Sequence, residues 1–333
     1  MRQDHELKGL NLRHRAPEYK PPLWLRSGHV QSIWPSLFRT VDIRPPEPDI
    51  LPTDDDDELH LDWYRQGSDR LVVLSHGLEG HSRRPYIQGL ARALLREGWD
   101  VLAWNFRSCG GVMNHQPRFY HSGATGDLHQ VITHGLAQGY KTVGLAGFSM
   151  GGNLTLLYLA QQSERIDSRI CGGVGFSVPC DLAGSADTLA RPSRKIYMRR
   201  FLRDLKIKME EKSKRFPELI DTSGFDRIQS FHEFDDRFTA PLHGFRSAQE
   251  YWQNCSALWR LKDIRVPALM VNAGDDPFLS ARCFPTDPAV MGSHARAEFP
   301  RWGGHVGFVE GAATDGFYWS ERRAVAHFAS LLA

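Results

Sequence analysis

The apolar positions of this chain switch repeatedly between the two-residue period of a strand and the 3.6-residue period of a helix. Residues 59–64 alternate apolar and polar like a half-buried strand, and 71–74 form a continuous apolar run of the kind buried on both faces. The pattern then predicts a helix over 85–97, a strand over 100–106 and a helix over 126–137. Strand 142–146, helix 152–162 and strand 170–178 continue the alternation. It resumes late in the chain with strand 268–272, a short strand near 295–299 and a closing helix over 317–332. Parallel strands need crossover connections, so this order predicts an α/β fold with a mostly parallel central sheet and helices on both faces.

Two segments break the pattern. Residues 1–56 are rich in proline (Pro17, Pro21, Pro22, Pro35, Pro45, Pro46, Pro48 and Pro52) and end at the acidic run 54–57. We read them as an irregular arm packed on the core through Leu23, Trp24, Leu25, Ile33, Trp34, Leu37 and Phe38. The acidic run reads as a solvated turn, because no loop of spaced oxygen ligands follows it as calcium would need. From about 181 to 246 the sequence is helical and basic, without strand pattern. Between 191 and 218 it carries eleven Lys/Arg, against Asp204, Glu210, Glu211 and Glu218 and, just upstream, Asp187. Met198, Phe201, Leu202, Leu205 and Met209 recur through it at helical spacing. This predicts an inserted helical cap, and so an arm (1–56), a core (57–182 and 246–333) and a cap (183–245).

Composition narrows the class only slightly. Apolar residues at 41% and charged residues at 24% are ordinary globular values, and a net charge of +2 over 333 residues lacks the basic excess of a nucleic-acid-binding chain. Cys109, Cys171, Cys180, Cys255 and Cys283 are odd in number and scattered, without C-x-x-C or zinc spacing, which predicts reduced thiols and no structural metal. No signal-peptide h-region opens the chain at 1–6, and no apolar run approaches the roughly 18 residues of a membrane span. A soluble, cytoplasmic protein is expected.

The candidate chemistry centres on Gly147-Phe148-Ser149-Met150-Gly151, which lies between strand 142–146 and helix 152–162. A G-x-S-x-G turn in that context is a nucleophile elbow: the serine takes a strained conformation at the sheet's carboxyl end, and flanking side chains would collide with neighbouring backbone. A serine hydroxyl needs a histidine to take its proton and a carboxylate to hold that histidine's tautomer, here expected in the order Ser, Asp, His. Asp276 is the favoured carboxylate because Pro277 rigidifies its loop, with Asp275 and Asp181 as alternatives. His305, in Gly303-Gly304-His305-Val306-Gly307-Phe308, is the expected base. The oxyanion of the tetrahedral intermediate would be met by the backbone N–H of Met150 and of Leu78, the latter in Ser75-His76-Gly77-Leu78-Glu79-Gly80. His76 and Arg107 are read as loop braces, and Cys109 as no nucleophile.

His76-Gly77-Leu78-Glu79-Gly80, Asn105-Phe106-Arg107, Tyr120-His121-Ser122-Gly123, Gly147-Phe148-Ser149-Met150-Gly151-Gly152, Phe234-Asp235-Asp236, Asp275-Asp276-Pro277-Phe278 and the His305 loop, in this order, resemble the YheT-like branch of the α/β-hydrolases. That branch also contains embryogenesis-associated plant proteins and the ABHD-type lipases of animals. The resemblance runs from about residue 23 to the C-terminus, Gly28-His29-Val30-Gln31 included. It implies Ser149, Asp276 and His305 as the triad and cofactor-independent hydrolysis of carboxylic esters. Phe234-Asp235-Asp236 reads as structural. The H-x-x-x-x-D motif of acyltransferase relatives is absent, and the elbow itself also occurs in haloperoxidase-like and carbon–carbon-bond hydrolases. The expected substrate is a short to medium acyl ester or a lipid ester. A thioesterase or lysophospholipase would use the same atoms, and a hydrolase-like binding protein without turnover is the non-enzymatic alternative. The basic cap is either a solvated face or a surface for anionic lipid. A dinucleotide site fails because Val178 stands where Gly173-Val174-Gly175 needs a third glycine.

Overall fold

The computed structural model describes residues 18–311 and 316–332. Residues 1–17 of the expected arm, Pro17 among them, lie outside the described residues. The strands are β1 (Glu47–Pro52), β2 (Glu58–Tyr64), β3 (Arg70–Ser75), β4 (Asp100–Trp104), β5 (Thr142–Phe148), β6 (Ile170–Phe176), β7 (Ala268–Val271) and β8 (Ala295–Glu298). The helices are α1 (Gly28–Phe38), α2 (Pro85–Arg96), α3 (Thr125–Ala137), α4 (Met150–Gln162), α5 (Leu182–Ala190), α6 (Lys195–Arg215), α7 (Phe231–Phe234), α8 (Ala240–Leu242), α9 (Ala248–Cys255), α10 (Pro288–Met291) and α11 (Trp319–Leu331). The strands form one sheet in the order β1-β2-β4-β3-β5-β6-β7-β8, antiparallel at β1/β2 and β2/β4 and parallel elsewhere. Apolar clusters fill both faces. One joins α3 and α4 to the sheet, and the other packs α2 and α11 against its opposite side. This is the expected α/β architecture. None of the described helices is long and apolar enough to cross a membrane.

The arm differs from its sequence reading. It contains β1, a 3-10 turn at Leu23–Leu25 and α1. Proline offers no N–H, so β1, with Pro48 and Pro52, occupies the sheet's edge and pairs only with β2. Of the seven expected anchors only Leu25 is buried, whereas Leu37 and Phe38 are more than half exposed. Helix α1 instead turns a polar face inward. The Gln31 Oε1 accepts from Val309 N–H (2.9 Å), Ser32 Oγ accepts from His305 N–H (2.8 Å), and Arg39 pairs with buried Glu321. Gly28 opens that face, because a Cβ there would overlap the Asp275 carbonyl oxygen.

The acidic run is also corrected. Asp54 and Asp56 point to solvent, but Asp57 is buried and Asp55 half-buried. Both hold the Arg107 guanidinium (2.9 and 2.8 Å), which Asp127 grips from the other side (2.8 Å). A buried guanidinium needs such partners, so Arg107 braces its loop, as expected. Helices α5 to α9 and a 3-10 segment to Asp263 fill the long connection between β6 and β7. Not all of the basic residues there are solvated. Lys208 and Lys212 share α6's inward face with Met198, Leu202, Leu205 and Met209. Lys208 Nζ reaches Glu79 (2.6 Å), and Lys212 Nζ donates to the Gln116 carbonyl (2.6 Å).

The close contact at Gly28 predicts that Gly28→Ala lowers stability by about 1–3 kcal/mol, the usual cost of overpacking. Thermal unfolding measures it, and an unchanged midpoint would mean that the arm rests on the core without close packing.

Candidate active site

Strand β5 feeds α4 through a turn that only glycine neighbours permit. A Cβ on Gly147 would overlap the Gly151 carbonyl oxygen, and one on Gly151 would overlap the carbonyl oxygens of Ser75 and His76. Ser149 between them is held at φ 54°, and its N–H donates to the Phe176 carbonyl of the neighbouring strand (2.8 Å). Glu79, Ser108, Ser177 and Val306 also have positive φ, at 51°, 61°, 53° and 62°. Non-glycine residues in this region are strained, and these five lie on loops beyond the sheet's carboxyl edge.

The structure brings three of the expected side chains into one chain of hydrogen bonds. His305 Nε2 lies 2.8 Å from Ser149 Oγ, and His305 Nδ1 lies 2.9 and 3.1 Å from the two Asp276 oxygens. The Phe278 N–H fixes Asp276 Oδ1 (2.9 Å), and the Phe278 ring stacks on the His305 imidazole with centroids 4.1 Å apart. Asp275 and Asp181 sit elsewhere. Asp275 Oδ1 accepts from Gly304 N–H (2.9 Å), and burial raises its carboxyl above the usual range. Asp181 caps α5 and accepts from Ser280 Oγ (2.8 Å).

Leu78 and Met150 line the cavity beside Ser149. Among the described residues neither backbone N–H has a protein acceptor. His76 is fully buried, where burial lowers its pKa to about 3. Its neutral ring donates from Nδ1 to the Gly77 carbonyl (2.7 Å) and accepts at Nε2 from Phe106 N–H (3.1 Å), so it braces the Leu78 loop. Burial pushes the Cys109 thiol up to about 12, which keeps it protonated.

Two spaces meet at Ser149. Inward, a cavity of about 110 Å³ runs under the helices between β6 and β7, lined by Leu182, Leu189, Phe201, Leu205, Phe234 and Trp252 among others. Asp235 also lines it, accepting from Thr239 Oγ1 (2.6 Å) and Trp252 Nε1 (2.8 Å), with its carboxyl pushed up to about 7 by burial. Outward, a groove of about 550 Å³ opens between α1 and α6.

Sequence reasoning missed several supports of this site. Asn153 of α4 accepts from Ala257 N–H (2.9 Å) and donates to the Ser122 and Cys255 carbonyls (3.0 and 2.8 Å), tying the elbow helix to the helices above it. Ser32 and Gln31 hold the histidine loop, and Lys208 with Tyr120 holds Glu79 next to Leu78. The prior signals were the quoted motifs around Gly28 and Gln31, Glu79 and Tyr120, and in the first of these the glycine proves to be the contact and the glutamine the clamp.

Comparison with known proteins agrees with this architecture. Residues 66–283 match the family described as serine aminopeptidase, S33. The chain is 31% identical over 316 residues to the "Putative esterase YheT" of Escherichia coli (strain K12), covering 92% of each chain. It is 28% identical over 308 residues to "Phospholipase ABHD3" of Mus musculus, covering 88% of this chain and 74% of that protein. Among solved structures, the Pyrococcus furiosus esterase Pf2001 superimposes with a TM-score of 0.56 at 17% identity, covering 96% of this chain and all of that one (100%), a likeness of fold. The chain therefore belongs to the family described as serine aminopeptidase, S33, and to the YheT-like branch of the α/β-hydrolase superfamily, and is a hydrolytic enzyme.

Proposed function

We propose that this protein is a serine esterase whose triad is Ser149, His305 and Asp276. The observation that carries the reading is the unbroken relay from Ser149 Oγ through His305 to Asp276, at 2.8 and 2.9 Å. Asp276 accepts from Nδ1–H, so Nε2 is left free to take the serine proton. Ser149 Oγ attacks the acyl carbonyl carbon, and the oxyanion takes hydrogen bonds from the N–H groups of Leu78 and Met150, the latter at the positive end of α4. The His305 imidazolium then protonates the departing alcohol, leaving an acyl-enzyme. Water attacks that ester in turn and gives a proton to His305, which returns it to Ser149 Oγ as the acid leaves.

The inner cavity's apolar walls and small volume support a short to medium acyl chain, with residues 183–245 acting as a cap over it. The name of the mouse relative, a phospholipase, supports lipid esters within the same reading. A panel of p-nitrophenyl esters of graded length, acyl-CoAs and lysophospholipids separates esterase from thioesterase and lysophospholipase. The exposed arginines of α6 support peripheral contact with anionic membrane, and five free cysteines support a cytoplasmic location.

A fluorophosphonate probe should label the wild type and leave Ser149→Ala unlabelled but folded. Equal labelling would remove Ser149 from the mechanism. Asp276→Asn should lower kcat by about 10⁴, whereas Asp275→Asn should stay mostly active. Steady-state kinetics decide, and the reverse order would move the carboxylate assignment to Asp275.

Asp235 sets a pH dependence of stability. Its folded value of about 7 lies above its ordinary 3.8, so the unfolded chain releases this proton first as pH rises. Stability should fall across that window, by at most about 1.4 kcal/mol per pH unit. Asp235→Asn should flatten the slope. Urea unfolding of both proteins between mildly acidic and neutral pH measures it, and equal slopes would mean that Asp235 is ionised throughout.

A further inference from the structure

Helix α1 is amphipathic in the reverse sense. Its core-facing positions are Gly28, Gln31 and Ser32, followed by Arg39 just past its end, while Val30, Ile33, Trp34, Leu37 and Phe38 recur at helical spacing on the outer face. Phe38 is 61% exposed and Leu37 65%, and Leu23 and Trp24 of the preceding turn are 77% and 57% exposed. These are not scattered side chains. Trp34 packs against Trp24 and Phe38 with ring centroids 4.9 and 4.3 Å apart, forming an aromatic cluster on the surface. A contiguous exposed apolar patch marks an interaction surface.

The position of the patch selects the partner. Ile33 and Leu37 form one lip of the outward groove, and Ile196, Arg199, Arg200 and Arg203 of α6 form the other, with Ser149 and His305 at its floor. Ile196 is 70% exposed. His29 Nδ1 and Tyr197 Oη, 2.9 Å apart, join the two lips. Arg199 and Arg200 have no carboxylate partner among the described residues, and Arg203 pairs only with its neighbour Asp204. An apolar, aromatic lip beside free guanidinium groups matches the two layers of an anionic bilayer surface, acyl chains below and charged headgroups above.

We infer that α1 and the start of α6 form a membrane-docking lip: the aromatic face of α1 inserts at the interface of an anionic bilayer while the α6 arginines meet lipid headgroups. Docking in this pose turns the groove toward the bilayer, so that an ester can pass to Ser149 without crossing water. The use of the lip rests on the proposed esterase, and the docking itself does not.

The test is flotation of the full chain with phosphatidylcholine vesicles, with or without phosphatidylserine. Wild type is compared with a variant carrying Trp24→Ser, Trp34→Ser and Phe38→Ser, none of which lines the groove. Wild type should bind the phosphatidylserine vesicles and weaken as salt shortens the Debye length from about 10 Å at 0.1 M towards about 3 Å at 1 M. The variant should bind about tenfold or more weakly. Its thermal midpoint and its turnover of a water-soluble p-nitrophenyl ester should match wild type. No vesicle binding by wild type, or equal binding by the variant, overturns the proposal. So does a stable dimer that the variant dissociates while vesicles stay unbound, because a second copy then covers this face. Vesicle binding lost in the variant supports the lip even if wild type hydrolyses no ester, a result that would sink the esterase reading alone.

Discussion

The backbone of the elbow packs so closely that no side chain fits two residues to either side of Ser149, at Gly147 or Gly151, and the rest of the site is arranged around that contact. Gly147 lies against the Gly151 carbonyl, and Gly151 against the carbonyls of Ser75 and His76. Pressing α4 onto β5 and the end of β3 in this way holds Ser149 at positive φ. Such a conformation costs on the order of 1–3 kcal/mol and persists only where surrounding structure over-determines it. The surroundings do so from several directions: the Phe176 carbonyl accepts the Ser149 N–H, His76 braces the Leu78 loop to the loop that follows β4, and Asn153 ties α4 to the helices above.

The loops that complete the site are held by polar groups, because a loop beside a water-accessible groove cannot be held by apolar packing alone. The histidine loop hangs on α1 through Ser32 and Gln31, and α1 hangs on α11 through the buried pair of Arg39 and Glu321. Lys208 carries the same logic to the other side. A buried ammonium is strongly disfavoured unless paired, and Glu79 supplies the pair one residue after Leu78. The helix that roofs the inner cavity is thereby keyed to the loop that would receive the oxyanion. Displacement of α6 would move both.

Most of the core was legible from the sequence because its signals are local. Strands β2 to β6 and helices α2 to α4 follow from period and length, and the elbow follows from two glycines in a strand-to-helix context, since the reason for each glycine lies within a few residues. Loop stiffness favoured Asp276 over Asp275 and Asp181 as the candidate carboxylate, and the Asp276 oxygen lies 2.9 Å from His305 Nδ1.

What only the tertiary structure decided concerns which face of a segment meets the core, a matter that hydrophobicity does not settle when the neighbour is polar. The apolar face of α1 points outward because the surface it packs on is the polar backbone of the Asp275 and His305 loops, which glycine, glutamine and serine satisfy and tryptophan does not. The acidic run is half buried because Arg107, some fifty residues later in the chain, lies beneath it. Lys208 and Lys212 turn inward because Glu79 and the Gln116 carbonyl wait there. In each case the residue type was plain in the sequence, but its partner lay far along the chain, and burial of a polar group depends on that partner rather than on its own hydropathy.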